Sequence, residues 1–155
     1  MNRLAKISHR HIAIALVIAI FFALDRILKV WALRSAELSP FNLIGNWLSF
    51  DFTANYYIAF SLPLSGPLLN WAVTGLTAGV IIAIIILAIS KKSHALEIGC
   101  LILILLGAAS NLFDRLIYGY VIDYLYLRYF TVFNLADAMI SGGALLLILK
   151  SLKRS

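Results

Sequence analysis

Cysteine, histidine and charge are all scarce in this 155-residue chain, and each scarcity excludes something. The single cysteine, Cys100, rules out an intrachain disulfide and any metal cluster built on several thiolates. It stands inside an apolar run and reads as a small core or lipid-facing residue. The three histidines, His9, His11 and His94, form no H-E-x-x-H pattern, so a zinc site of that kind has no ligands. Charged residues make up 13% of the chain, against about 25% in soluble proteins. Hydrophobic residues make up 63%, and the mean hydropathy is +0.96. A soluble fold of this length has no way to hide so much apolar surface.

Where charge is missing, the gaps have a recognisable length. A bilayer core about 30 Å thick takes roughly 20 apolar residues of helix. Four stretches qualify: Ile12 to Leu33, Leu68 to Ser90, Ala95 to Ile117 and Thr131 to Leu149. The second has no charge at all, and the fourth has only Asp137. Eight of the thirteen basic residues sit in three short pieces that flank these runs: Arg3, Lys6 and Arg10; Lys91 and Lys92; and Lys150, Lys153 and Arg154. An even number of spans puts both termini on one side, so all three clusters fall in the cytoplasm, as the positive-inside rule requires. The net charge of +6 is thereby a topology signal, and nucleic acid is not an expected partner.

The basic and apolar N-terminus could be taken for a cleavable signal peptide, but Asp25 and Lys29 occupy the place of a small-x-small cleavage site. It reads as a retained first span. No repeat or low-complexity tract is present, and Gly66-Pro67 fits a turn into span two. The segment Trp47-Leu48-Ser49-Phe50-Asp51-Phe52-Thr53 alternates in part, as a short strand does. The aromatics around it suit a membrane interface. Residues 1–155 thus read as one domain, an all-α integral membrane protein with four transmembrane helices and a small extracytoplasmic layer containing β structure.

Charges within such spans cost about 2.5 to 3.5 kcal/mol at a helix centre and normally face a bundle interior or a water cavity. Here they gather. Under the orientation above, Asp25, Lys29, Asn111, Asp114, Arg115, Asp123, Asn134 and Asp137 all belong to the extracytoplasmic ends of spans one, three and four. Asp25 and Lys29 are four apart, as are Asn111 and Arg115, and Asn134 and Asp137 are three apart, so each pair shares a helix face. Asp25 with Lys29, and Asp114 with Arg115, are open to a plain reading as charge compensation or interfacial snorkelling.

Asp123 and Asp137 are separated by 14 positions, too few to cross a bilayer and return, so both lie near one surface. Neither has a basic residue at helical spacing. Two carboxylates brought together in a poorly solvated site share one proton. One then acts as base on water while the other donates to a carbonyl oxygen, which is peptide hydrolysis without a metal or a covalent intermediate. The plainer alternative makes Asp123 a turn cap and Asp137 an internal anchor. A serine mechanism has no histidine on the correct side, although a serine paired with Lys29 stays open. Two non-peptidase readings also stand. A small proton- or ion-coupled transporter expects acids reaching both faces, where only Glu97 lies toward the cytoplasm; a noncatalytic scaffold leaves the polar cluster without a purpose. Asp51 reads as a loop-tip charge rather than part of a substrate platform.

The assembled residues resemble the bacterial lipoprotein signal peptidase (signal peptidase II) family over essentially the whole chain. The resemblance is carried by Asp25-Arg26-Ile27-Leu28-Lys29, by Asn111-Leu112-Phe113-Asp114-Arg115 with Gly119-Tyr120-Val121-Ile122-Asp123, and by Phe133-Asn134-Leu135-Ala136-Asp137-Ala138. It implies an aspartic endopeptidase of the bacterial inner membrane, without metal or organic cofactor. Its partners are membrane lipids and diacylglyceryl-modified prolipoproteins, whose signal peptides it cuts off just before the lipid-bearing cysteine. It further implies that Asp123 and Asp137 are the catalytic pair, and that Asp25, Lys29, Asn55, Asn111, Asp114, Arg115 and Asn134 line or stabilise the site. Two departures accompany it. Tyr57, in Asn55-Tyr56-Tyr57-Ile58-Ala59-Phe60, stands where the family usually has glycine, so a different loop conformation is expected there. Gly107-Ala108-Ala109-Ser110 has fewer glycines than the family tends to show, so altered helix packing is expected before Asn111.

Overall fold

The computed structural model describes residues 9–36, 39–56 and 95–153, together with residues 75, 79–80, 82–83, 85–87 and 89–90. Its elements run α1 (His9–Arg34), β1 (Phe41–Ile44), β2 (Leu48–Asn55), α2 (Ala95–Tyr118), β3 (Val121–Leu127), β4 (Thr131–Phe133) and α3 (Leu135–Leu152). Helices α1 and α2 coincide with the first and third expected spans to within a few residues. Of the expected second span, the described residues from 75 to 89 are helical, and the remainder, like Tyr57, lies outside the described residues. Among the described residues, α2 and α3 are long and apolar enough to cross a membrane.

The expected fourth span needs correction at its start. The run Thr131-Val132-Phe133 does not begin the helix; it is strand β4, paired antiparallel with Leu125 to Leu127. β-branched and aromatic residues favour a pleated strand, and Asn134 then supplies the helix cap, so the helix begins at Leu135. The β structure is also larger than the one short strand read from alternation. Four antiparallel strands lie in the order β1-β2-β3-β4. Between Phe50 and Thr53 the register of β2 against β3 shifts, because three steps on β2 oppose two on β3. Asp51 sits in this bulge, half-buried within a strand, and not at a loop tip.

The sheet closes over one end of the three helices. Its inner face and α1 share a small apolar core of Ala32, Phe50, Ile122 and Tyr124, with Leu28, Leu33 and Leu135 packed around it. Elsewhere the usual distribution is inverted. Asp25, Lys29, Asp114 and Asn134 have no exposed surface, whereas Leu116 is 70% exposed, Leu152 68% and Ile27 62%. Polar groups inside and an apolar belt outside suit a hydrocarbon surround, where helices meet through close packing and internal hydrogen bonds.

Helices α2 and α3 meet through glycine. A Cβ on Gly107 would lie 2.6 Å from the Ala136 carbonyl oxygen and 2.9 Å from Ile140 Cγ1, and one on Gly143 would lie 2.9 Å from the Cys100 carbonyl oxygen. Cys100 itself is buried in this contact. At Gly142 a Cβ would meet nothing within 4 Å. Gly107→Val is therefore expected to destabilise the protein by about 1–3 kcal/mol, the usual cost of overpacking. Gly142→Ala should be neutral or stabilising, because a helical glycine gives up backbone entropy without gaining contact here. Thermal unfolding of both variants in detergent micelles checks the pair.

Candidate active site

The polar cluster is assembled from every element around the sheet–helix junction. At its base is Lys29 of α1, with its ammonium 2.7 Å from Asp114 Oδ2 and 3.3 Å from Asp25 Oδ2. Arg26 reaches Asp114 Oδ1 at 2.6 Å, so two cations and two carboxylates balance. The Ser110 hydroxyl sits among them, donating to Asp25 Oδ2 at 2.5 Å and accepting from Arg26 at 3.1 Å. The pairing of Asp25 with Lys29 agrees with their spacing. The salt-bridge partners of Asp114 are Arg26 and Lys29 on a different helix, and it acts on its neighbour Arg115 through its field. Successive helical residues point about 100° apart, so an adjacent pair cannot meet across one face.

Asp25 also organises the first turn of α3, whose early backbone N–H groups have no partner within the helix. Leu135 N–H donates to the Tyr124 hydroxyl at 3.0 Å, and that hydroxyl donates to Asp25 Oδ1 at 3.2 Å. Ala136 N–H donates directly to Asp25 Oδ1 at 3.0 Å. Asp137 N–H donates to the Asn134 side-chain oxygen at 2.9 Å, and Asp137 Oδ2 accepts from Asn134 N–H at 3.3 Å, completing a reciprocal cap. Three donors are thus met from β3, α1 and the cap itself. Burial keeps the Tyr124 phenol protonated, its pKa raised, which preserves it as a donor to Asp25.

Above this base lie the two aspartates, each held by amides. Asp123, on β3, accepts from Asn55 Nδ2 at 2.8 Å and from Asn134 Nδ2 at 2.7 Å. Asp137, in the first turn of α3, accepts from Asn111 Nδ2 at 2.8 Å. The Asn111 oxygen accepts from Lys29 at 2.8 Å and from Asn134 Nδ2 at 3.1 Å. The amide faces of Asn111 are thereby assigned: oxygen to the cation, nitrogen to the carboxylate. A chain of bonds runs from Lys29 through Asn111 to Asp137 and through Asn134 to Asp123. The Asp123 carboxyl is pushed up to about 7 by burial first and by the Asp137 charge second, against the opposing bonds from Asn55 and Asn134.

Of the residues expected at the site, all nine converge, though not equally. Arg115 is half-buried and donates a long 3.5 Å bond to the Asn111 carbonyl of its own helix, within the fields of Asp137, Asp123 and Asp114. Three participants were given no role at the site by the sequence reading: Arg26, Ser110 and Tyr124. Ser110 stands four before Asp114, which is a usable spacing signal. Beside Asp137 a cavity of about 380 Å³ opens, walled by Asn55, Phe130, Val132, Phe133 and Ile140. Such a site offers an acid, a base and an apolar wall. Among the described residues no three His, Cys, Asp or Glu side chains are arranged to hold a metal ion.

Residues 17–153 match the family described as signal peptidase (SPase) II. The lipoprotein signal peptidase of Syntrophomonas wolfei subsp. wolfei is 41% identical over 128 residues, covering 81% of this chain and 84% of that protein. The lipoprotein signal peptidase of Paraburkholderia phytofirmans is 40% identical over 154 residues, covering 92% and 84%. That of Caldicellulosiruptor bescii is 36% identical over 138 residues, covering 89% of each. The fold is similar to a bacterial membrane enzyme structure solved by the in meso method at 1.9 Å, with a TM-score of 0.75 at 23% identity over 92% of this chain and 94% of that one. Matched along nearly its whole length, the chain belongs to the signal peptidase II family, the lipoprotein signal peptidases.

Proposed function

We propose that Asp123 and Asp137 are the catalytic pair of an aspartic endopeptidase that removes the signal peptide from diacylglyceryl-modified prolipoproteins, cutting just before the lipid-bearing cysteine. One observation carries the assignment: Asn134 bonds both carboxylates, through its side chain to Asp123 and through its backbone to Asp137. The two acids are therefore within one residue's reach in a buried place. With one proton between them, the ionised member takes a proton from water as the water attacks the scissile carbonyl. The protonated member donates to the carbonyl oxygen. Collapse of the tetrahedral diol then breaks the C–N bond, with a proton passed to the leaving amine.

The apolar belt and the location of the charges support a multi-pass protein of the bacterial inner membrane, with four spans and the site on the extracytoplasmic side. Substrate enters sideways from the bilayer, so that acyl chains stay in lipid beside the apolar wall of Phe130, Val132 and Ile140. Asp25, Lys29, Asn111, Asp114, Arg115 and Asn134 position the pair, and Asn55 holds Asp123. Membrane lipid is the surrounding partner, and nucleic acid has no role. The transporter alternative gives way, since Glu97, the acid toward the other face, is paired with Lys150 at 2.5 Å.

Asp123→Asn and Asp137→Asn should each lower the rate of cleavage of a lipid-modified prolipopeptide by at least about 10²-fold, the scale of lost acid–base catalysis. Circular dichroism should show the helical fold retained in both. Normal turnover by either variant would remove the dyad assignment.

A pH series tests the same pair. Because Asp123 titrates near 7, kcat/KM should fall as pH rises through about 7 and the shared proton is lost. The Asn55 bond favours the ionised form, so Asn55→Ala should move that limb to higher pH. Stability has the same sign: with the folded value raised from 3.8 to about 7, folding favours neutral Asp123, and stability is lost as pH rises across that interval. Asp123→Asn should flatten the loss in a thermal-unfolding series.

A further inference from the structure

Asp51 takes no part in the chemistry above, yet its surroundings are specific. The bulge in β2 brings Phe50, Asp51 and Phe52 to the wall of one small cavity of about 90 Å³, where strict alternation would send Asp51 to the opposite face. Trp31, at the end of α1, and Phe41, opening β1, complete the wall. The rings converge closely: Trp31 and Phe50 have centroids 4.3 Å apart, Phe41 and Phe50 5.3 Å, and Trp31 and Phe41 5.6 Å. Phe50 is buried, whereas Trp31 and Phe41 are more than two-fifths exposed, so the cavity opens outward. Ser35 and Ser39 add hydroxyls at its rim.

Aromatic faces are electronegative, and a cation set among them is attracted by about 0.5–2 kcal/mol per ring contact. A carboxylate in the same wall adds its full charge. Among the described residues Asp51 makes no salt bridge, so its carboxylate is available to a cation in the cavity. The cavity suits a small alkylammonium group and not an anion or an extended chain. Its position selects the source. The exposed ring of Trp31 continues the apolar face of α1 formed by Ile27 and Val30, at the end of the helix where the sheet begins. In a membrane this is the headgroup level, where Trp is favoured.

We propose that the cavity walled by Trp31, Phe41, Phe50, Phe52 and Asp51 binds the ammonium group of an aminolipid headgroup from the surrounding leaflet. The site is separate from the catalytic aspartates, and it would hold the sheet against a lipid surface rather than take part in hydrolysis.

The test uses the full chain in maltoside micelles, labelled with 5-fluorotryptophan and retaining Trp31 alone through Trp47→Phe and Trp71→Phe. Dihexanoyl phosphatidylethanolamine should shift the Trp31 fluorine resonance saturably, and dihexanoyl phosphatidylglycerol should leave it unmoved. Asp51→Asn should weaken the response by about tenfold, on the scale of one desolvated cation contact. Phe41→Leu, which removes an exposed ring from the wall, should weaken it too. Equal responses to the two lipids, or full affinity in Asp51→Asn with its melting temperature unchanged, would overturn the proposal. A lysine-containing peptide that shifts Trp31 at lower concentration than the aminolipid would overturn the lipid source, marking the cavity as a substrate-amine site.

Discussion

A buried ammonium group surrounded by hydrocarbon needs carboxylates against it, because an unpaired buried charge costs several kcal/mol. Lys29 has two, Asp25 and Asp114, and no exposed surface. Each of these acids then does a second task. Asp114 accepts from the Ile122 N–H at 3.3 Å and fixes the strand residue before Asp123. Asp25 holds the first turn of the helix that carries Asp137. The cation thus secures both carriers of the aspartates without touching either, and a further bond fixes the Asn111 amide that does touch one. Replacing either acid would leave a buried positive charge and release one carrier.

Around the aspartates, Asn55, Asn111 and Asn134 donate the hydrogen bonds described above while Lys29 and Arg115 act through their fields, and the choice of amides has a physical basis. A lysine or arginine bonded directly to Asp123 would favour its ionised form by a full charge and work against the proton sharing proposed for the pair. Asn55 and Asn134 donate hydrogen bonds with no net charge, so burial prevails and the Asp123 carboxyl stays near 7. Lys29 acts on the pair from one residue further away, through Asn111. The fold places charge where it is needed for cohesion and withholds it where it would spoil the chemistry.

Much of this was legible in the sequence because it rests on local spacing. The i, i+4 relation of Asp25 and Lys29, the first-turn relation of Asn134 and Asp137, and the short separation of Asp123 from Asp137 each survive in the structure. The errors come from relations that spacing does not encode. Asp114 with Arg115 was open to a reading as charge compensation or interfacial snorkelling, whereas its salt-bridge partners come from a helix more than 80 residues earlier. Thr131 to Phe133 looked like the start of a long apolar helix because hydropathy does not separate strand from helix in a short run. The bulge at Asp51 depends on pairing with β3, and no pattern within β2 announces it. Tyr124 is one of two tyrosines on β3, and only the arrival of α1 beneath the sheet sets it apart.

Asn134 sends its single side-chain nitrogen toward Asp123 and Asn111 and its oxygen to the Asp137 backbone. Conversion of that amide to an acid, the common ageing reaction of asparagine, would change few atoms and little volume. It would nevertheless delete the donor, add a third carboxylate beside the two aspartates, and repel both. That reaction requires the following backbone nitrogen to attack the side-chain carbonyl, and here the nitrogen is Leu135 N, held by the Tyr124 hydroxyl at the start of a capped helix. The bond that positions the start of α3 thereby also protects the enzyme's chemical lifetime.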